Sequence, residues 1–430
     1  MFCFAGEPQA ASWTLKDCVD YALSKNIDIR KSYLSSQGDE LNLEQARANV
    51  FPSVTGSVGQ NFSWAKAYDQ ATGDYTSYSA TGSTSYGLNS GVTLFNGFRS
   101  KNTIEQARLN LESSRFYSET VKESVELSIL DAYLQILYAK ESVKNAEEQI
   151  KSTTEQLAFA EERLNLGVIS NADYLQIRSE LASEKLTLAN AQSTLSIAKV
   201  NLMQLMELPV DDQFDIVNPD LSHLLGVEED QLQAASVYQQ ALAVKPQIRQ
   251  AELNLESARL DEKIARSDLY PQLSVSAGLS TGWSNRTDGE GYAGQLKNSV
   301  QPAVGLNLSI PIFQNKQARI SIRQAQISAG SAELDEINTK NDLRKKIEQA
   351  IVDLKTAYIR YQASLDNYQS TSESYDVAVE KYELGLLNSV DFLSVKTTVI
   401  TSENDLAQAR YNLIFSNKIL DFYKGVPIRL

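Results

Sequence analysis

The sequence predicts a mixed α and β protein built from one duplicated unit, in which long coiled-coil-like helices carry β-hairpins. Three observations predict this fold: a constant repeat offset, a heptad pattern of large and small residues, and short stretches with period-two alternation. Four pairs of residues lie 218 positions apart: Gly167 and Gly385, Asp173 and Asp391, Phe95 and Phe313, Pro209 and Pro427. No insertion or deletion therefore separates the two copies over this stretch.

The heptad pattern predicts one very long helix in each copy. Large apolar residues recur every seven positions from Ile129 to Leu164, with small residues such as Ala132 and Ala139 between them. A second series starts at Ile347 and alternates with small residues in the same way. One large and one small residue per heptad is typical of helices that pack closely side by side. The predicted helices cover about 14–49, 98–166, 171–207, 231–268, 316–384 and 389–424.

Four segments next to these helices alternate between apolar and small polar residues with a period of two. They cover about 53–64, 84–95, 272–283 and 301–312, and each has one apolar face and one face of Ser, Gly, Asn and Thr. A tilted strand of roughly 9–11 residues is long enough to cross a bilayer. A water-facing sheet packed on helices would show the same alternation. Small polar residues on the second face and aromatic residues near the strand ends favour the membrane, where we expect an interfacial girdle of Phe62, Trp64, Tyr86 and Trp283.

Composition excludes several classes of function. The net charge of −14 disfavours nucleic-acid partners, because binding a phosphate backbone requires a basic surface. The single His223 and the two cysteines, Cys3 and Cys18, leave no set of metal ligands, and no nucleophile or phosphate-binding motif is present. We therefore expect no enzymatic activity, no cofactor and no bound metal.

The repeat and the composition give a division of the chain. Residues 1–12 are interpreted as the remnant of an export signal or a flexible N-terminus, and 428–430 as the C-terminal end. The first repeat is 13–209 and the second is 231–427. Between them, 210–230 carries seven acidic residues and no Lys or Arg, so we interpret it as an acidic linker, with room for a short helix.

The turns that end the two longest helices are the candidate site. Gly167 and Gly385 suit the left-handed conformation that ends a helix. Asp173 lies three residues after Ser170, and Asp391 three after Asn388, which is the spacing of a helix N-cap. The capping role explains these residues; an additional role would follow if copies of the chain surround an axis, since the aspartates would then ring its narrow end.

The strands imply association with further copies. Four amphipathic strands cannot close a barrel, and open strand edges are not tolerated in hydrocarbon. Three copies supply twelve strands, whereas two supply eight and leave little lumen. The expected assembly is a homotrimer in which a 12-stranded membrane β-barrel continues as an α-helical barrel, on the order of 100 Å long from the rise per helical residue.

From Trp13 to Pro427 the sequence resembles the TolC-type outer-membrane efflux proteins. The resemblance rests on the duplicated layout, the proline before the first strand of each hairpin, the two glycine–aspartate turns, and the segments Tyr382-Glu-Leu-Gly385 and Ala409-Arg-Tyr-Asn412. It implies a passive trimeric duct in the bacterial outer membrane that extends into the periplasm. It also implies two partners, a periplasmic adaptor (membrane fusion) protein and, through the adaptor, an inner-membrane pump.

The resemblance assigns roles to the turns. By this resemblance, the entrance constriction is formed by Asp173 and Asp391. The residues that dock the adaptor are Gly167, Val168, Ile169, Gly385, Leu386 and Leu387. Two positions depart from the family: Leu387 stands where well-known members have a latching arginine, and Ser394 where they have a second acid. The alternative to a tripartite efflux pump or type I-like secretion duct is a non-transport coiled-coil scaffold or a surface adhesin.

Overall fold

The computed structural model describes residues 12–66, 68, 70–71, 73–75, 77–226, 233–286 and 289–429. The helices are α1 (Leu15–Lys25), α2 (Ile27–Ala48), α3 (Arg99–Asn165), α4 (Asn171–Leu205), α5 (Ala234–Val244), α6 (Pro246–Arg266), α7 (Tyr292–Asn298), α8 (Gln317–Glu383) and α9 (Ser389–Tyr423). The strands are β1 (Ser53–Ala65), β2 (Ser79–Asn96), β3 (Gln272–Ser284) and β4 (Gln301–Ser309). In the described part of the chain, no helix is both long and apolar enough to cross a membrane.

The expectations for residues 1–11, for 227–230 at the end of the linker, for 231–232 at the start of the second repeat and for Leu430 lie outside the described residues. The chain divides into two compact units. A helical unit takes the described parts of Met1–Leu34, Phe116–Arg249 and Ile337–Leu430, and a sheet unit takes Ser35–Arg115 and Gln250–Glu336.

The sheet unit contains one antiparallel sheet in the order β1-β2-β3-β4. Its register pairs Leu88 with Leu279, and Val275 with both Val92 and Leu306. Residues directly opposite each other share a face, so the register brings the apolar positions of all four strands together. That face carries Val54, Val58, Phe62, Trp64, Tyr86, Leu88, Val92, Leu273, Val275, Leu279, Trp283, Val304, Leu306 and Leu308. The opposite face is built from small and polar residues, chiefly Ser, Thr, Gly and Asn.

Two strand boundaries differ from the prediction, and one helix was not predicted. Strand β2 begins at Ser79 rather than near residue 84, because the Ser/Thr/Gly run before it pairs with 59–65 although it lacks apolar alternation. Strand β4 ends at Ser309 rather than near 312, since Pro311 has no N–H to donate to a ladder. Helix α7, in the segment between β3 and β4, was not predicted.

The predicted helix 14–49 is two helices that meet at Asn26. The Asn26 Oδ1 accepts hydrogen bonds from the N–H groups of Asp28 (2.9 Å) and Ile29 (3.3 Å), and its Nδ2 donates to the Leu205 carbonyl at 2.9 Å. This side chain therefore caps the start of α2 and also holds the end of α4. Its conformation is extended at ψ 132°, which ends α1.

The predicted helix 231–268 is also divided, at Lys245. Pro246 begins α6, where its missing N–H costs nothing, and it disfavours helical geometry for the preceding residue. The buried Lys245 ammonium lies 3.1 Å from Glu123 Oε1 and 3.2 Å from the centre of the Phe422 ring. Burial lowers the pKa of Lys245 and raises the pKa of Glu123, because it disfavours the charged form of each group. The contact between the two side chains offsets part of this cost of desolvation.

The heptad residues form the core of the helical unit. Ile129, Ile136 and Ile347 are fully buried, and the α3 residues pack with α1 and α4. The linker contributes to the same cluster. Phe214 and Ile216 are buried, and the Asp215 carboxylate pairs with Lys140 at 2.7 Å and Lys199 at 3.2 Å. Part of the acidic linker is therefore docked on the helices rather than simply solvated, and it includes a 3-10 turn at Ser222–Leu224.

A buried ion pair joins the two returning helices. The Lys396 ammonium of α9 lies 2.8 Å from Glu184 Oε1 of α4, and the side chains are 3% and 6% exposed. Lys396 also donates to the hydroxyl of Thr153. The residues 218 positions from Glu184 and Thr153 are Ser402 and Thr371, and their hydroxyls are 2.6 Å apart. Ser402, which corresponds to Glu184, therefore contacts a neutral hydroxyl, whereas Glu184 pairs with a cation.

Lys396→Met should destabilise the helical unit strongly, by about 3–5 kcal/mol, because the Glu184 carboxylate would stay buried without its partner. The double variant Lys396→Met/Glu184→Met should recover most of the loss. Thermal unfolding followed by circular dichroism checks this, with Lys185→Met, an exposed lysine of α4, as the control. An unchanged midpoint for Lys396→Met would contradict the assignment.

Asn26→Ala should lower stability by about 1–3 kcal/mol, because it removes a helix cap and leaves the Leu205 carbonyl without this donor. The matched control is Asn190→Ala on the exposed surface of α4. The measurement is again the thermal midpoint. Equal midpoints for the two variants would show that the division between α1 and α2 does not depend on this side chain.

Candidate functional site

The turn between α3 and α4 is built on a glycine in the left-handed conformation. Gly167 has φ 72°, its N–H donates to the Leu164 carbonyl, and the Val168 N–H donates to the Arg163 carbonyl, both at 2.9 Å. This pair of hydrogen bonds is the Schellman motif that satisfies the last carbonyls of a helix. A β-carbon at Gly167 would meet nothing within 4 Å, so backbone conformation rather than space requires the glycine.

The next helix begins with a capping box. The Ser170 hydroxyl oxygen accepts from the Asp173 N–H at 3.2 Å, and Asp173 Oδ2 accepts from the Ser170 N–H at 3.3 Å. The Ser170 hydroxyl also donates to the same carboxylate at 2.7 Å. The spacing of Ser170 and Asp173 therefore forms the predicted cap, in which each side chain accepts a hydrogen bond from the backbone N–H of the other residue.

The turn between α8 and α9 repeats this design with different residues. Gly385 has φ 74°, and its N–H donates to the Tyr382 carbonyl at 3.0 Å. At the start of α9 the Asn388 Oδ1 accepts from the Asp391 N–H at 2.9 Å, and its Nδ2 donates to the Asp391 carboxylate at 2.7 Å. Both predicted aspartates therefore belong to helix caps.

The two turns are joined to each other within one chain. The Ser389 hydroxyl donates to Asp173 Oδ1 at 2.9 Å, and Arg163 Nη1 donates to the Tyr382 carbonyl at 3.0 Å. The second Arg163 nitrogen lies 3.0 Å from the place of a β-carbon on Gly385, so a side chain there would displace the end of Arg163, and the backbone conformation is what requires glycine. We call residues 163–173 and 381–391 together the paired turns.

An apolar cluster supports the paired turns. The rings of Tyr382 and Phe392 stack with centroids 4.6 Å apart, and Ala160 and Ile177 are buried beside them. Of the predicted docking residues, Ile169 and Leu387 pack against this cluster and are half-buried. These two side chains therefore anchor the turns to the cluster and contribute little to the exposed surface.

The paired turns expose a group of apolar residues around the two glycines. Gly167 and Gly385 are exposed, and Val168 and Leu386 are 60% and 74% exposed. Leu166 and Leu384, each one residue before its glycine, are 71% and 74% exposed and were missed by the sequence analysis. Their repetition at equivalent positions of both copies was the available signal. Such a group of exposed apolar side chains marks an interaction surface.

The two aspartates differ in their surroundings. Hydrogen bonds from the hydroxyls of Ser170 and Ser389 lower the pKa of Asp173, so this carboxylate is ionised at neutral pH. Asp391 is exposed, and its side chain is held by Asn388. Their predicted position around an entrance concerns an assembly of several chains and stays a prediction.

The four predicted interfacial aromatics lie on the apolar face of the sheet. Phe62 and Trp64 are exposed near the end of β1 that leads away from α2. Tyr86 and Trp283 are half-buried, and both contact Tyr292 of α7, by a 2.7 Å hydrogen bond between hydroxyls and a ring distance of 5.5 Å. Tyr292 completes this aromatic group, which the sequence analysis did not anticipate. Their role at a membrane interface stays a prediction.

The residues that the structure describes include no group of three or more His, Cys, Asp or Glu side chains placed to hold a metal ion. Cys18 is fully buried, and desolvation raises the pKa of its thiol to about 12. A thiol of that pKa is protonated at neutral pH and is a core residue rather than a nucleophile.

Comparisons with known proteins agree with the predicted fold. The family model described as "Outer membrane efflux protein" matches residues 18–207 and 237–425, two segments that fall within the two predicted repeats. The outer membrane efflux protein BepC of Brucella suis is 22% identical over 413 residues, which cover 96% of this chain and 85% of BepC. The toxin and drug export protein A of Aggregatibacter actinomycetemcomitans is 22% identical and covers 93% and 83%.

Among solved structures, CusC, whose structures concern folding and transmembrane channel formation, superposes with a TM-score of 0.80 at 20% identity. The alignment covers 97% of this chain and 95% of the CusC chain, so the fold is that of an outer-membrane channel. The two matched segments of the family model span most of the sequence, and the chain therefore belongs to the outer membrane efflux protein family.

Proposed function

We propose that this outer-membrane channel is the passive exit duct of a tripartite efflux pump or a type I-like secretion system. It works as a homotrimer, and it receives substrates from an inner-membrane pump through a periplasmic adaptor. Relatives named for efflux and for toxin and drug export support the proposal. The proposed duct conducts substrates passively and has no reaction of its own.

The observation that carries the proposal is the sheet. One face is apolar across all four strands and the other is small and polar, while the strand order begins at β1 and ends at β4 within the described residues. Lipid accepts the apolar face but not open edges, because it offers no hydrogen-bond partners to backbone groups. Three copies of four strands form a closed twelve-stranded wall with its polar face toward the lumen.

The same face argues against the alternative functions. A non-transport scaffold or an adhesin would keep its hairpins in water, where this many exposed apolar residues on one surface would favour aggregation. A lipid environment removes that difficulty. The interfacial aromatics then have a natural place, since Trp and Tyr concentrate where headgroups meet hydrocarbon.

The paired turns supply the second part of the proposal. Exposed Val168 and Leu386, with Leu166 and Leu384, offer an apolar surface for the adaptor, while Gly167 and Gly385 fix its shape and Ile169 and Leu387 anchor it. In a trimer, Asp173 and Asp391 recur in every subunit around one axis. We assign the entrance constriction to these two carboxylates.

Leu88→Arg should abolish membrane assembly, whereas Asn89→Arg should not. The two residues are neighbours on β2 that point to opposite faces, and an arginine facing lipid near the bilayer centre costs about 2–4 kcal/mol. Outer-membrane fractionation and heat-dependent migration in SDS gels measure the trimer. Trimers from Leu88→Arg, or a folded water-soluble monomer of the unchanged chain, would refute the proposed duct.

The double variant Asp173→Asn/Asp391→Asn should lower the preference of the duct for cations in planar-bilayer recordings, because it removes the carboxylates at the constriction. Asparagine keeps an oxygen that accepts the capping hydrogen bonds. Because the pKa of Asp173 lies below its ordinary 3.8, its share of the preference should persist until the pH falls below that value.

The control for this experiment is Glu155→Gln, an exposed acid of α3 outside the paired turns. It changes charge by the same amount per residue without touching a cap. An unchanged permeability ratio in the double variant, with intact trimers, would leave these aspartates only their capping role.

A further inference from the structure

Helix α7 takes the place of a missing length of β4 along the edge of β3. The pairing of β3 with β4 ends where Ser280 faces Gln301, yet β3 continues to Ser284. The backbone groups of β3 beyond that point would form an open edge. Side chains of α7 and of the residue after it cover this edge instead.

Two side chains act in place of a strand. The Ser299 hydroxyl accepts from the Gly282 N–H at 3.2 Å and lies 2.9 Å from the Gly282 carbonyl. The Gln295 Oε1 accepts from the Ser284 N–H at 2.9 Å, and its Nε2 donates to the Glu290 carbonyl at 3.0 Å. These contacts place α7 beside β3 in the line of the sheet, at the level where β4 is absent.

Further contacts fix α7 in this position. The Thr281 hydroxyl donates to the Leu296 carbonyl at 2.6 Å, and the Tyr292 hydroxyl is 2.7 Å from that of Tyr86. The Gln295 side chain is buried. A helix of seven residues has little stability alone, so these contacts show that the sheet holds it there.

The free edges of the sheet have unequal lengths. Strand β1 has thirteen residues and β4 has nine, so four residues of β1 remain when a β4 edge from another copy pairs with it. Aligning the ends that adjoin α2 and α8 leaves Phe62–Ala65. Phe62 and Trp64 are 62% and 67% exposed, and Tyr292 and Val300 of the α7 segment are 43% and 47% exposed.

We propose that α7 is a subunit-contact element: in the ring of copies, it covers the outer end of β1 of the neighbouring subunit. The partner is a second copy of this chain, and the inference rests on the proposed trimeric duct. Strand β4 closes the inner part of the seam by strand pairing, and α7 lies against the outer part.

Disulfide cross-linking between subunits tests the inference. The test pair is Ala65→Cys with Lys297→Cys, an exposed position of α7, and the seam control is Thr55→Cys with Asn307→Cys, which face each other when the β1 and β4 edges are aligned in this way. All variants carry Cys3→Ser and keep Cys18, which is buried. Each single-cysteine variant serves as a background, and covalent dimers and trimers are read on non-reducing gels of outer-membrane fractions.

We expect the test pair to cross-link within about threefold of the seam control, since both contacts belong to one closed wall. Adding Gln295→Ala and Ser299→Ala should reduce the test-pair product at least about fivefold by freeing α7 from the edge, and leave the seam control unchanged. Cross-linking of the seam control alone would overturn the role of α7 while the trimeric duct stands. Failure of both pairs would overturn the trimeric closure, and the inference with it.

Discussion

The fold depends on one constraint: a strand edge in hydrocarbon must find a hydrogen-bond partner for each of its backbone groups. Duplication gives four strands with a shared apolar face, and their register is set by matching Leu88, Leu279, Val275 and Leu306 across the sheet. In the proposed duct, other copies of the chain satisfy the two free edges of the sheet.

Duplication gives the two repeats of the chain the same layout. Residues that differ between the repeats make the contacts that join the two halves. Ser170 and Asn388 cap equivalent helices, but the hydroxyl of Ser389 reaches across to Asp173. Glu184 pairs with Lys396, while the equivalent of Glu184, Ser402, contacts the hydroxyl of Thr371. The contacts that join the two halves therefore include groups that an exact repeat would not supply.

Much of this architecture could be predicted from the sequence because its signals are periodic. Heptads and alternation are properties of a segment alone, and they located the long helices and all four strands. The breaks at Asn26 and Lys245 could not be found in this way, because Asn26 is explained by the Leu205 carbonyl, 179 residues away. Pro246 was a local signal for the second break. Helix α7 has no periodic signal in the sequence. It is held by contacts with the β3 edge rather than by an apolar helix face.

The same distinction applies at the paired turns. The glycine and cap spacings fixed the roles of Gly167 and Asp173 in the local structure, but burial separated Ile169 and Leu387, which anchor, from Val168 and Leu386, which are exposed. Leu387 stands where the family resemblance leads one to expect an arginine. The structure has an arginine at the turns all the same, Arg163 from the first copy, and it binds the Tyr382 carbonyl of its own chain. Because Arg163 and Ser389 join the two turns within one chain, we expect any movement at the entrance to carry both turns of a subunit together.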